Sequence, residues 1–81
     1  MKKNIKIYST SWCGPCKNSK RLLVERGLDF IEIDIEEKDL SREDLYEITG
    51  GKTVPQIIID DIPIGGYNDL LELDRQGKLK G

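Results

Sequence analysis

Ile5-Lys6-Ile7-Tyr8-Ser9-Thr10-Ser11-Trp12-Cys13-Gly14-Pro15-Cys16 is the stretch on which the fold turns. Its opening residues alternate in the manner of a strand with one buried face. Residues 10–14 are turn formers and read as a loop. Pro15 suits the first turn of a helix, where its missing N–H costs nothing. That helix is expected to run to about Arg26, anchored by Leu22 and Leu23, with Gly27 just past its end. Phe30-Ile31-Glu32-Ile33-Asp34-Ile35 then alternates cleanly and predicts a second strand with its isoleucines on the buried face. Strand, helix and strand in this order suggest a right-handed parallel βαβ unit.

The second half changes pattern. Ser41-Arg42-Glu43-Asp44 has the form of a capping box, with Leu40 and Leu45 spaced for a hydrophobic staple. A helix is expected from there through Leu45 and Ile48, stopping at Gly50-Gly51. Gln56–Ile59 and residues 62–64 read as two short strands joined at hairpin spacing by Asp60-Asp61. Gly65-Gly66 breaks the second of them. Asn68 or a neighbour is expected to cap a last helix that carries Leu70, Leu71 and Leu73 inward and ends at Gly77. The order is β-α-β-α-β-β-α. It defines an α/β fold with a four-stranded mixed sheet flanked by three helices.

Composition narrows the function. Eighty-one residues are expected to form one domain spanning 1–81, because a second core needs roughly another 50 residues. Apolar runs of three or four residues, such as Ile57-Ile58-Ile59, are far short of the about 20 that span a bilayer. Met1-Lys2-Lys3 resembles a charged leader, but no apolar stretch follows it, so a cytoplasmic location is expected. A net charge of −2 gives no nucleic-acid footprint. The chain has no histidine, which removes Cys-His and Ser-His catalysis and any histidine-bearing metal site. Its two cysteines are three positions apart, and in a reducing compartment such a pair points to redox or metal chemistry rather than a structural staple.

Charge is segregated. Lys2, Lys3, Lys6, Lys17, Lys20 and Arg21 stand in the first 21 residues with no acid among them, whereas Glu25 to Glu47 holds ten acids against Arg26, Lys38 and Arg42. Both cysteines lie in the basic part. A positive neighbourhood favours thiolate over thiol and attracts anionic thiols and disulfides.

Cysteines at helical i and i+3 lie on one face, close enough for a disulfide. Cys13 falls at the helix N-terminus, where unsatisfied N–H groups and the dipole favour an anion, so its thiol pKa is expected to be depressed. Cys16 falls one turn inside, shielded by packing. The expected division of labour is attack on a substrate disulfide by the Cys13 thiolate, then resolution of the mixed disulfide by Cys16. The other reading of CxxC is half a zinc site. It needs two more ligands, and the chain supplies no further cysteine and no histidine, so no metal is expected.

At these residues the chain resembles known families. Trp12-Cys13-Gly14-Pro15-Cys16-Lys17 is the active-site string of thioredoxins. The remainder is similar to glutaredoxins, in which the CxxC opening is followed by a Thr-Val-Pro and then a Gly-Gly-x-x-Asp. Here these are Thr53-Val54-Pro55 and Gly65-Gly66-Tyr67-Asn68-Asp69, and Pro55-Gln56-Ile57-Ile58-Ile59-Asp60 also matches that family's run. Thioredoxins carry a further strand and helix ahead of the motif, for which there is no room before Cys13. The resemblance covers essentially all 81 residues. It implies the thioredoxin fold in its minimal glutaredoxin form, with Val54–Pro55 in cis.

The resemblance also implies an activity: a glutathione-dependent dithiol oxidoreductase. Such an enzyme reduces protein disulfides and glutathione mixed disulfides, supplies electrons to enzymes such as ribonucleotide reductase, and works as a monomer. Cys13 and Cys16 would be catalytic, and Lys17, Thr53, Val54, Pro55, Gly66, Tyr67, Asn68 and Asp69 would hold glutathione. The Val54 N–H and C=O would pair like a short strand with the cysteinyl backbone. Gly65 and Gly66 would admit the ligand closely, the helix start would meet a carboxylate, and Asp69 an ammonium. Asn68 and Asp69 are equally suited to capping the helix.

Two residues depart from the glutaredoxin pattern. Thr10 stands where many members have a lysine three residues before the nucleophile, and Pro15 where they have tyrosine. Lys17 and Lys52 are the nearest replacements for the glycyl carboxylate. The departures keep two alternatives open. One is a thioredoxin-like redoxin recharged by a flavoprotein reductase. The other is an iron–sulfur carrier, which Pro15 beside Cys16 disfavours. Trp12 suits either a partner-facing surface or buried packing.

Overall fold

In the computed structural model, which describes residues 4–11 and 13–79, the chain forms β1 (Ile5–Ser9), α1 (Gly14–Glu25), β2 (Ile31–Asp34), α2 (Arg42–Thr49), β3 (Gln56–Ile59), β4 (Ile62–Gly65) and α3 (Tyr67–Arg75). The expectations attached to Met1, Lys2, Lys3 and Trp12 lie outside the described residues. The strands form one sheet in the order β2-β1-β3-β4. β1 runs parallel to β2, with Ile7 opposite Glu32, and antiparallel to β3, with Ile7 opposite Ile57. β3 and β4 are an antiparallel hairpin. No helix among the described residues is long and apolar enough to cross a membrane.

Local chemistry places the element ends. Ser41 Oγ accepts the Asp44 N–H at 3.0 Å and the Asp44 carboxylate accepts the Ser41 N–H at 3.0 Å, the reciprocal bonds of a capping box. Gly50, at φ +83°, ends α2 in the left-handed conformation that a side chain resists. Asp60 and Asp61 both have positive φ, as the tight hairpin turn requires. Val54–Pro55 is a cis peptide.

Alternation along β1 sorts its residues to two faces. Ile5 and Ile7 join Leu22 and Leu23 of α1, Leu28, Ile57, Leu70 of α3 and Leu79 in the larger buried cluster. Tyr8 packs on the other face with Ile35, Leu45 of α2 and Ile58, flanked by Ile33, Leu40 and Val54. Thus α1 and α3 cover one face and α2 the other.

Three expectations need correction. Ile31 is not buried but 57% exposed, although Ile35 on the same face is buried. β2 is an edge strand, and α2, eight residues and so about 12 Å long, covers only the far end of that face. Leu71 does not face inward and is 39% exposed, because it follows Leu70 by about 100° around α3 and Leu70 takes the core position. The cap of α3 is Gly66, not Asn68, which lies inside the first turn.

Candidate active site

Cys13 is the N-cap of α1. Its backbone is extended, and its sulfur accepts the Cys16 backbone N–H at 3.2 Å. The Lys17 N–H donates to the Cys13 carbonyl at 3.1 Å, the first bond of the helix ladder. The two cysteines have Cα atoms 5.2 Å apart and are paired as a disulfide. They are unequally accessible: Cys16 is wholly buried, whereas Cys13 keeps 8% of its surface exposed. A helix N-terminus with an N–H aimed at the sulfur favours negative charge on Cys13 once the disulfide opens.

The second wall comes from far along the chain. The Val54 carbonyl oxygen lies 3.7 Å from Cys13 Sγ, just ahead of the buried Pro55. Behind it, a cavity of about 650 Å³ extends past Pro15, Thr53 and Pro55 to Gly66, Tyr67, Asn68 and Asp69. A smaller one of about 370 Å³ is bounded by Thr10, Cys13, Leu40, Ser41, Arg42 and Val54. The two share Val54 as a wall, so open space borders Val54 in two directions. At the far end, a Cβ on Gly65 would overlap the Asp69 carboxylate, and φ there is +109°. Both facts call for glycine. Asp69 accepts the Gly66 N–H at 2.9 Å and thereby closes the first turn of α3.

Most residues expected at the site come together here, with two exceptions and one addition. Cys13, Thr53, Val54, Pro55, Gly66, Tyr67, Asn68 and Asp69 border these spaces, but Lys17 is exposed on α1 and lines neither. Lys52 lines neither as well; its ammonium stands 5.6 Å from the Tyr46 ring centroid. The cation that does border the smaller cavity is Arg42, whose guanidinium Nη1 donates to the Lys52 carbonyl at 3.1 Å. Sequence reading missed it. The available signal was the capping box, which puts Arg42 at the first helical position after Ser41 without saying which way α2 faces.

Charge under α1 is also arranged differently from the simple basic patch. Glu32 of β2 accepts from Lys20 Nζ at 2.6 Å and from the buried Ser9 hydroxyl at 2.8 Å, both through Oε2. The Lys20 hydrogen bond above all, and that from Ser9, hold the Glu32 carboxyl below its ordinary value of 4.5, against partial burial. Lys20, one turn beyond Cys16, is therefore paired rather than free. At the other end of α1, Arg26 grips Asp74 of α3 with bonds of 2.6 and 2.8 Å, which lowers the Asp74 pKa.

A depressed carboxylate pKa stabilises the fold above the unfolded value and ceases to do so as pH falls through the folded one. Glu32→Gln is therefore expected to melt below the wild type near neutral pH, with the gap closing as the pH drops below 4.5. Melting curves across that range check this, and a gap independent of pH would contradict it. Among the described residues no group of three or more histidine, cysteine, aspartate or glutamate side chains could hold a metal ion.

A mixed four-stranded sheet whose central strand delivers a CxxC disulfide to a helix N-terminus, faced by a cis-proline loop, defines the thioredoxin-fold class of thiol-disulfide oxidoreductases. The glutaredoxin family model matches residues 5–64. Glutaredoxin of Pseudomonas aeruginosa is 45% identical over 73 residues, covering 90% of this chain and 87% of that protein. Glutaredoxin 3 of Escherichia coli is 41% identical over 76 residues, covering 94% and 92%. Among solved structures, a buckwheat glutaredoxin–glutathione complex superposes with a TM-score of 0.85 at 30% identity, over 95% of this chain and 73% of that one. The chain belongs to the glutaredoxin family, and it is a thiol-disulfide oxidoreductase.

Proposed function

We propose that the protein is a glutathione-dependent dithiol glutaredoxin. It reduces disulfides of partner proteins, among them enzymes of the ribonucleotide reductase kind, and mixed disulfides with glutathione. The observation that carries this reading is the Val54 backbone 3.7 Å from Cys13 Sγ, with open space on both sides. A tripeptide thiol bound through its own backbone at Val54 would direct its γ-glutamyl end toward Gly66, Asn68 and Asp69. Its glycyl carboxylate would lie toward Arg42. The glutathione bound in the buckwheat relative supports the same class of ligand.

In the reaction, the Cys13 thiolate attacks one sulfur of the substrate disulfide. A Cys13–substrate bond forms as the substrate S–S bond breaks, and one thiolate leaves. Cys16, deprotonated, then attacks the Cys13 sulfur and expels the second thiolate. The substrate has gained two electrons and the protein carries the Cys13–Cys16 disulfide, a bond that the 5.2 Å Cα separation permits. Two glutathione molecules reverse the sequence: the first forms a mixed disulfide at Cys13, and the second releases oxidised glutathione. We read residues 1–81 as one domain that performs this cycle as a cytoplasmic monomer, without metal.

A second reading, recharging by a flavoprotein thioredoxin reductase, draws support from Thr10. This neutral side chain borders the smaller cavity beside Cys13 where many glutaredoxins carry a lysine. Reduction of a small mixed disulfide should proceed with glutathione, glutathione reductase and NADPH, and be slow with thioredoxin reductase and NADPH. Turnover only in the second system would overturn glutathione dependence.

A further inference from the structure

Gln56 is a polar side chain on an interior strand, and it is only 6% exposed. Its amide Nε2 donates to the Thr53 carbonyl at 2.9 Å and stands 3.5 Å from Thr53 Oγ1. Space for that amide exists because residue 51 is glycine: a Cβ there would overlap the Gln56 amide group. Gly51 is fixed in turn by the buried Thr49, whose hydroxyl accepts the Gly51 N–H at 3.2 Å and also bonds the Leu45 carbonyl at 2.8 Å. A continuous set of contacts thus runs from the end of α2 to the loop facing the cysteines.

The geometry of the peptide unit gives this set a consequence. The Thr53 carbonyl and the Val54 N–H belong to one planar unit and point in opposite directions. Holding the carbonyl inward on Gln56 turns the Val54 N–H outward, and among the described residues that N–H has no hydrogen-bond partner. We propose that Gln56 is a positioning residue. Its amide locks the Thr53–Val54 peptide plane, so that Val54 meets the backbone of a peptidyl thiol in register while the Cys13 sulfur itself is untouched. Gln56 thereby sets the preference for disulfides carrying peptide groups over disulfides that have none. This rests on the proposed binding of substrate backbone at Val54.

The test is a ratio. Reduced wild-type protein and Gln56→Leu, which keeps the volume and removes the donor, are oxidised by a glutathione–peptide mixed disulfide and, separately, by 2-hydroxyethyl disulfide, which has no peptide group. Rates are read by alkylation and mass spectrometry. The rate constant for the peptide substrate should fall about tenfold, as the Thr53–Val54 peptide loses the hydrogen bond that holds its plane, and that for the small disulfide by less than twofold. The ratio of the two constants within one preparation cancels any loss of folded protein. If Gln56→Leu does not yield folded protein, Gly51→Ala, which presses on the same amide, decides in its place, with the same fall expected. An unchanged ratio in the deciding variant, with the wild-type preference intact, overturns the role of Gln56 alone. A wild type that does not distinguish the two oxidants overturns the backbone-binding reading and the proposal with it.

Discussion

Cys13→Ser is expected to lower disulfide turnover to the uncatalysed background, while Cys16→Ser should stop with the substrate still attached. The asymmetry follows from position. Cys13 caps α1, receives the Cys16 N–H at 3.2 Å and is the cysteine that keeps some exposed surface. Serine in its place stays protonated near neutral pH and offers no comparable nucleophile. Cys16 is wholly buried, so it meets a disulfide only after Cys13 has brought one within reach. Without it the first attack still occurs, but the protein has no internal thiolate to release the adduct. Intact-mass measurement of Cys16→Ser, treated with a glutathione mixed disulfide and no free glutathione, should show one substrate thiol added at Cys13. An adduct forming instead on Cys16 in the Cys13→Ser protein would reverse the two roles.

Leu23→Ala should cause the largest loss of stability. Leu23 is completely buried where α1 meets the sheet, in one cluster with Ile5, Ile7, Ile57 and Leu70. Truncating such a leucine costs about 2–5 kcal/mol, through lost burial and the cavity left behind. Domains of this size are stable by about 5–15 kcal/mol, so much of the margin is at stake. At about 4–8 °C per kcal/mol, the melting temperature should fall by roughly 8–40 °C. Leu71→Ala is the internal comparison: Leu71 is 39% exposed, and its loss should cost far less. Thermal melts followed by circular dichroism measure both, and similar shifts for the two would contradict the packing described.

Features that depend on neighbouring residues were legible in the sequence. The alternation of β1, the capping box of Ser41 and Asp44, the turn at Asp60-Asp61 and the helix that starts beside the CxxC all stand where local chemistry puts them. Features that depend on what another element covers were not. Period-2 alternation puts Ile31 on the face of Ile33 and Ile35, but it cannot say that an eight-residue α2 leaves Ile31 uncovered. Lys17 follows Cys16 in sequence, yet the helical turn carries it away from both cavities, whereas Arg42 reaches the Cys13 side from a separate helix. Gln56 looked like one more residue of a strand. Only the approach of Gly51 reveals what its amide holds.

The separation of the two walls of the site bears on when the protein becomes competent. Cys13 is synthesised 41 residues ahead of Val54, and β1 has no antiparallel neighbour until β3 emerges. A partly made chain therefore carries both thiols at the start of a nascent helix while the Val54 wall does not yet stand opposite them. Pairing of Ile5 with Ile59 and of Ile7 with Ile57 closes a long loop, the kind of non-local contact that forms late. That event pairs the free edge of β1 and brings Val54 beside the Cys13 sulfur together. On the proposed role of Val54, discrimination among substrates is acquired in the same step that pairs β3 with β1.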